Sequence, residues 1–381
     1  MSSNIWKTDE RQALRSMVKE FTEKEVIPHL NRWEDEGVVP LSLHKRAADA
    51  GLLGISFDEK VGGSGGTPID VLIVLEEMIL AGASSGLIAA LFTHGIALPH
   101  IVASGNDDLI ERFVKPTLAG EMIGSLGITE PSGGSDVANI KTTATRTDSG
   151  FLVNGAKTFI TSATRADFVT TVVRTGGTGH AGLSLLVIER GAEGFEISMP
   201  LRKMGWQCSD TGELSFTDVL VPYSNLVGDT DSAFGQIAQQ FQGERLSLAF
   251  QASATAQRCL NLLLEWVTQR ETFGRPLSSR QVVRHRIADL ARDVDVTRTY
   301  CHHVAERWVA DGGMLKETAM AKNTAVSTCD RVVYEAVQLF GGLGCMRENE
   351  VERHYRDARV LGIGGGTTEI MNEIISKLMG L

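Results

Sequence analysis

Several protein classes are excluded by what this sequence has little of. Its five cysteines, Cys208, Cys259, Cys301, Cys329 and Cys345, are odd in number and scattered. No CxxC pair suggests zinc, and no even set suggests a secreted disulfide scaffold, so a reducing, cytoplasmic compartment is the simplest reading. Basic residues are outnumbered, 37 Lys and Arg against 47 Asp and Glu, and a formal charge of -10 lacks the basic footprint of a nucleic-acid binder. The N-terminus, MSSNIWKTDERQALRSMVKEF, is charged and helix-like, without the apolar segment of an export signal. No uncharged apolar run of about 18 residues is expected, which argues against a membrane span. His302-His303 lacks the i, i+4 partner and Glu of a zinc helix, the other histidines form no ligand cluster, and no metal site is expected.

What remains is ordinary globular composition over 381 residues, 43% hydrophobic and 22% charged, enough for two or three domains. Three blocks follow one another. Residues 1–121 read as helices: Thr8 or Asp9 can cap the first, whose Leu14, Met17, Val18 and Phe21 recur at helical spacing. Thr67-Pro68 suits the start of another helix, and no strand precedes the glycines of Gly62–Gly66, so a dinucleotide fingerprint is not expected there. Residues 122–232 read as short β-prone runs separated by Gly, Asp, Ser and Thr, a small antiparallel sheet or barrel, with Asn154-Gly155 as a hairpin signal. Residues 233–381 contain three long proline-poor helical segments with apolar stripes, the pattern of an up-and-down bundle.

Each motif alone has a plain reading. The loop ITEPSGGSD (Ile128–Asp136) lets backbone N–H groups and the hydroxyls of Thr129, Ser132 and Ser135 approach a phosphate or a flat ring, or is a surface turn that needs glycine. Phe159, in FIT, is a core residue or a platform for a ring. Arg270 is a solvated helix-end charge, and QLFGGLG a glycine C-cap. Glu244, in FQGERLSLAF, sits where the pattern becomes strongly apolar, and is an exposed or ion-paired carboxylate or a functional one.

In order and spacing, however, ITEPSGGSD, NGAKTFIT, KMGWQCSDTGELSFTDVLVP, RETFGRPLSSRQ, QLFGGLG and YRDARVLGIGGGTTEI together resemble the acyl-CoA dehydrogenase family, over about 370 residues. The resemblance implies an α+β fold: an N-terminal α-helical domain (1–121), a central β-barrel-like antiparallel domain (122–232) and a C-terminal four-helix bundle (233–381). It implies FAD, with Leu126, Ile128, Thr129, Gly134 and Ser135 along the flavin and its diphosphate. Phe159, Ile160 and Thr161 would lie at the ring, the Thr161 hydroxyl bonding N5, with Thr367 and Glu369 completing the site. Arg270, Phe273, Gln281, Gln338, Leu339, Gly341 and Gly342 resemble positions that reach the FAD of a neighbouring subunit, implying a homo-oligomer, a tetramer or a dimer.

The implied substrate is an acyl-CoA thioester dehydrogenated at its α and β carbons. Ser135, Gln242, Arg245 and Gly366 match substrate-contacting positions, and electron-transfer flavoprotein is the implied acceptor. Most members carry YEGT near the C-terminus, its Glu being the base; here Gly364-Gly365-Gly366-Thr367 stands instead. The long-chain and isovaleryl branches place the base in ERL on the first bundle helix, which here makes Glu244 the base, while Gly365 keeps the backbone N–H that polarises the thioester carbonyl. A Glu restored at 365 is then expected to recover some activity in a chain lacking Glu244. The rival readings are a flavin monooxygenase or oxidase of the same fold, and an inactive binding homologue.

Overall fold

In the computed structural model, which describes residues 5–381, the first helix begins where the sequence places it. The Thr8 hydroxyl accepts the Arg11 N–H at 3.3 Å and opens α1 (Asp9–Phe21). After α2 (Leu30–Glu36) and α3 (Leu41–Asp49), α4 (Pro68–Leu80) starts on proline, with a capping box between Thr67 and Asp70. Then come α5 (Ser85–Leu91), α6 (His94–Ser104) and the short α7 (Asp107–Leu109) and α8 (Lys115–Leu118). Leu30, Trp33, Leu43, Leu75, Met78 and Leu87 bury one another at their centre.

The sequence expectation of no long uncharged run does not hold. Ser85–Ser104 spans 20 residues with a mean hydropathy of 1.6, long and apolar enough by length and composition to cross a membrane. In the fold this stretch is two helices, α5 and α6, interrupted at Phe92-Thr93, and 61% of it is buried. Its Ala97 carbonyl accepts the Thr170 hydroxyl at 3.2 Å, so it lies against the sheet.

The β block is one eight-stranded sheet of β1 (Gly124–Gly127), β2 (Thr143–Arg146), β3 (Gly150–Thr161), β4 (Phe168–Arg174), β5 (Leu183–Glu189), β6 (Phe195–Ile197), β7 (Thr211–Pro222) and β8 (Leu226–Val227). The order is β6-β7-β3-β2-β4-β5-β8, with β1 paired to β4. Most pairs are antiparallel; β1 and β2 both run parallel to β4. Asn154-Gly155 makes no hairpin. The β3 strand runs straight through it with a bulge against β7, and Gly155 (φ +146°) is required because a Cβ there would stand 2.7 Å from Thr142 Cα. The turn lies earlier, where the Thr147 N–H donates to the Gly150 carbonyl at 2.8 Å.

The remainder is helical: α9 (Ala233–Gln269), α10 (Gln281–Asp311), α11 (Leu315–Phe340) and α12 (Glu350–Leu361) form the bundle, and α13 (Thr368–Leu378) packs on α11. A two-stranded ribbon, β9 (Glu271–Thr272) with β10 (Arg275–Pro276), joins α9 to α10. Leu246, Leu263, Leu290, Val304, Val332 and Leu361 share the bundle core, where α4 also lends Ile69, Leu72 and Ile73. The early turns of α9 go elsewhere: Ala233 and Ile237 are buried with Ile128, Phe168, Val172 and Leu185 of the β block.

Candidate active site

Glu244 lies at the seam between those two cores. Phe241 packs with the β-block cluster beside Leu126 and Ile128, whereas Leu246 and Leu248 belong to the bundle. One helix therefore carries a half-buried carboxylate across the boundary. Among the described residues, nothing hydrogen-bonds to that carboxylate and it forms no ion pair. Burial pushes its pKa above the usual carboxylate value, while the charges of Lys322 and Arg245 pull it the other way.

Facing Glu244 is the turn between α12 and α13. The Val360 carbonyl accepts the N–H groups of Ile363 and Gly364, both at 2.9 Å, and Thr367 caps α13 by accepting the Ile370 N–H at 3.3 Å. Between them Gly365 and Gly366 have φ of +62° and +94°, a region that disfavours a side chain. A Cβ at 365 would stand 3.3 Å from Glu244 Oε1 and 2.5 Å from Leu248 Cδ1. The carboxylate on α9 thus reaches the space that a side chain at 365 would enter. A Glu restored at 365 alone meets Leu248, so the simple exchange expected from sequence is sterically opposed.

The turn is held from behind by two buried cations. Arg245 Nε donates to the Gly365 carbonyl at 3.3 Å, and its guanidinium lies 5.6 Å from the Phe241 ring centre. Lys322 Nζ, from α11, donates to the carbonyls of both Gly364 and Gly366. The Gly365 and Gly366 N–H groups have no acceptor among the described residues and are free to donate. Gln242 Oε1 is also buried without a partner.

The ITEPSGGSD loop leaves β1 and is shaped by a buried ion pair. Lys157 Nζ lies 2.9 Å from Glu130 Oε1 and 3.1 Å from the Ile128 carbonyl, while the Glu130 carboxylate accepts the N–H groups of Lys141 and Thr142 at 2.7 and 2.8 Å. Gly133, Gly134 and Ser135 are exposed, and Gly134 packs against Thr129, where a Cβ would stand 3.1 Å from Thr129 Cγ2. Phe159 is no core residue: it has φ +59° beside an irregularity in the β3–β7 ladder and is 68% exposed. The hydroxyls of Thr129, Ser135 and Thr161 have no partner among the described residues. A presented aromatic ring, free hydroxyls and a side-chain-poor loop fit a cofactor with a flat ring and phosphates. Ile128 and Ile160 have buried side chains, so they can offer only backbone; Leu126 is half-buried.

The remaining expected cofactor residues lie elsewhere. Arg270 follows the C-terminus of α9, 26 residues after Glu244, so about 39 Å away at 1.5 Å per residue. There the Arg270 guanidinium lies 5.8 Å from the Trp266 ring, which stacks on Phe340 at 4.8 Å and donates to the Leu339 carbonyl at 2.9 Å. Phe273 in the ribbon is 97% exposed with φ +51°, and Gln281, Gln338, Gly341 and Gly342 are exposed. At the near end, Thr367 and the exposed Glu369 lie in the cap and first turn of α13. Glu244 and the glycine turn thus lie at the opposite end of α9 from Arg270.

Sequence reasoning missed Lys322, Lys157 and Glu130. Lys322 left a signal: Thr318, Lys322, Ala325 and Cys329 recur at helical spacing, so the lysine falls inside the buried stripe of α11. Lys157 is likewise a fully buried charge within a strand.

Three descriptions of one family match in order: the acyl-CoA dehydrogenase N-terminal domain over residues 8–121, the middle domain over 125–219 and the C-terminal domain over 233–380. A probable acyl-CoA dehydrogenase of Bacillus subtilis is 35% identical over 98% of this chain and 99% of its own. The mouse mitochondrial long-chain specific acyl-CoA dehydrogenase is 35% identical over 97% of this chain and 86% of its own. The crystal structure of a probable acyl-CoA dehydrogenase from Mycobacterium abscessus is 61% identical and superposes with a TM-score of 0.97, covering 98% of this chain and 100% of that one.

Proposed function

The chain belongs to the acyl-CoA dehydrogenase family, FAD-dependent oxidoreductases acting on acyl-CoA, and from that membership we propose that Glu244 is the base that removes the α-proton of the thioester. The observation that carries this is its position: the carboxylate lies 3.3 Å from where a Cβ would stand on Gly365, the position at which most of the family carries its base. Among the described residues it accepts no hydrogen bond that would have to break first, and burial raises its proton affinity towards that of a useful base.

The Gly365 N–H polarises the thioester carbonyl and lowers the cost of charge building there as the α-proton leaves. Gln242, Arg245, Gly366 and Ser135 contact the substrate, and the unsatisfied Gln242 Oε1 is available to a donor on it. Leu126, Ile128, Thr129, Gly134, Ser135, Phe159, Ile160, Thr161, Thr367 and Glu369 would hold FAD, which would supply the two-electron acceptor for the β-hydrogen. The product is the 2-enoyl-CoA, and the electrons leave to electron-transfer flavoprotein. Arg270, Phe273, Gln281, Gln338, Leu339, Gly341 and Gly342 complete the cofactor site of a neighbouring subunit, which agrees with the distance of Arg270 from Glu244 and with the exposure of all but the half-buried Leu339 in a single chain. Resemblance of the helix-borne base to that of the long-chain and isovaleryl branches aligns the chain with long or branched acyl groups.

The experiment is anaerobic mixing with a panel of acyl-CoA thioesters, following loss of flavin colour. Glu244→Gln should retain FAD and bind thioester while bleaching falls about 100- to 10,000-fold, the usual contribution of a positioned base. Bleaching of that variant at the native rate would place the base elsewhere.

A further inference from the structure

We propose that Lys322 is a positioning residue of this site: by holding the carbonyls of Gly364 and Gly366 it aims the Gly365 N–H at the substrate carbonyl, and it supplies positive charge to the pocket of the Glu244 carboxylate. The inference rests on the roles given above to Gly365 and Glu244. Lys322 is 1% exposed, and both of its hydrogen bonds go to the glycine turn. Burial of an ammonium is costly, and among the described residues no carboxylate is paired with it within ion-pair distance.

The geometry follows from the planar peptide. The Gly364 carbonyl and the Gly365 N–H belong to one trans unit and point in opposite directions, so fixing the first fixes the second. Arg245 holds the next unit through the Gly365 carbonyl, and Lys322 the one after it through Gly366. Three consecutive carbonyls are therefore drawn towards cations, leaving the Gly365 and Gly366 N–H groups on the other side, without acceptors among the described residues. Glycine offers little intrinsic resistance to rotation of these units, so the cations and not the local backbone keep the donor aimed.

The charge acts on Glu244 as well. The charged groups that act on its carboxylate are Lys322 from α11 and Arg245 from α9 itself, and both favour the ionised form. Lys322 itself is pushed down to about 8, by burial first, with Glu244 opposing that shift and Arg245 adding to it. A neutral side chain at 322 leaves Glu244 harder to ionise.

Three variants of the holoenzyme separate the two contributions. Lys322→Met removes donors and charge, Lys322→Gln keeps a neutral donor, and Lys322→Arg keeps the charge. The first readout is the infrared carbonyl stretch of the 1-13C-labelled form of the acyl-CoA that bleaches the flavin fastest, bound in a Glu244→Gln background so that it does not react. The second is the pH midpoint of flavin bleaching in chains that retain Glu244. Lys322→Met should lose the polarisation-induced shift of the carbonyl, move the pH midpoint upward, and lower the maximal rate about 10- to 100-fold with KM little changed. Lys322→Gln should raise the midpoint while keeping part of the carbonyl shift, and Lys322→Arg should keep the midpoint. If Lys322→Met does not fold, the opposed behaviour of the Gln and Arg variants decides. Native carbonyl frequency and native midpoint in the neutral variants overturn the proposal. Failure of the Glu244 assignment shows separately, as native bleaching in Glu244→Gln; the labelled probe is then the non-oxidisable 3-thia analogue of the same acyl-CoA, whose carbonyl stretch reports on Lys322 whichever residue is the base.

Discussion

Moving the carboxylate back to position 365 is the perturbation for which the structure makes the sharpest forecast. Take Glu244→Gln and add Gly365→Glu. Residue 365 has φ +62°, which costs a residue with a side chain about 1–2 kcal/mol. Its Cβ would lie 2.5 Å from Leu248 Cδ1, and Leu248 is only 6% exposed; overpacking of this kind costs about 1–3 kcal/mol. Together the change should destabilise the chain by about 2–5 kcal/mol and leave bleaching near the level of Glu244→Gln alone. Adding Leu248→Ala removes the colliding methyl and leaves space that the new side chain fills, so much of the loss should return, and bleaching with it. The assay is thermal unfolding of the three holoenzymes, paired with anaerobic flavin reduction. A Glu244→Gln/Gly365→Glu chain that melts with its parent and bleaches well with Leu248 intact would refute the claim that this turn is shaped for glycine.

Bleaching should rise with pH with its midpoint above the ordinary carboxylate value, because Glu244 acts ionised and burial disfavours that form; a stopped-flow pH profile with an ordinary or lower midpoint contradicts this. Glu76 is buried, which raises its proton affinity, but bonding to His302 at 3.2 Å and the charges of Arg298 and Arg15, each at 3.0 Å, bring its pKa down to about 2. Its contribution to stability is present above the unfolded value near 4.5 and fades as pH falls towards 2, so Glu76→Gln should cost about 3–5 kcal/mol at neutral pH and progressively less below pH 4.5 in urea titrations. Lys157→Met strands Glu130 within the ITEPSGGSD loop and should cost about 3–5 kcal/mol; the purified chain should carry markedly less FAD by absorbance, and full FAD content would show that the pair does not shape the loop.

The parts of the fold readable in the sequence are those where a local rule and the tertiary structure agree. Thr67-Pro68 starts a helix because the cap needs only neighbours within one turn. Long apolar stripes give the bundle because helix burial follows the same period as the sequence. Asn154-Gly155 misled because a bulge and a turn ask for the same residues: what requires Gly155 is Thr142, which is distant in sequence and close only once β2 pairs with β3. The uncharged run Ser85–Ser104 was overlooked because its two helices differ in role, and their break at Phe92-Thr93 carries no Gly or Pro. At the site, Glu244 was legible by resemblance and the glycine turn by its composition. Lys322 was legible only in part: its place in the apolar stripe of α11 marks it as buried, but its partners are main-chain carbonyls more than 40 residues away, which nothing local marks.

The most direct test of the central claim is a crystal structure of the Glu244→Gln holoenzyme with an acyl-CoA bound. The residue-244 side-chain amide should stand about 3–3.5 Å from the α-carbon, with the thioester oxygen on the Gly365 N–H. An α-carbon facing some other carboxylate, with residue 244 turned to solvent, would contradict it.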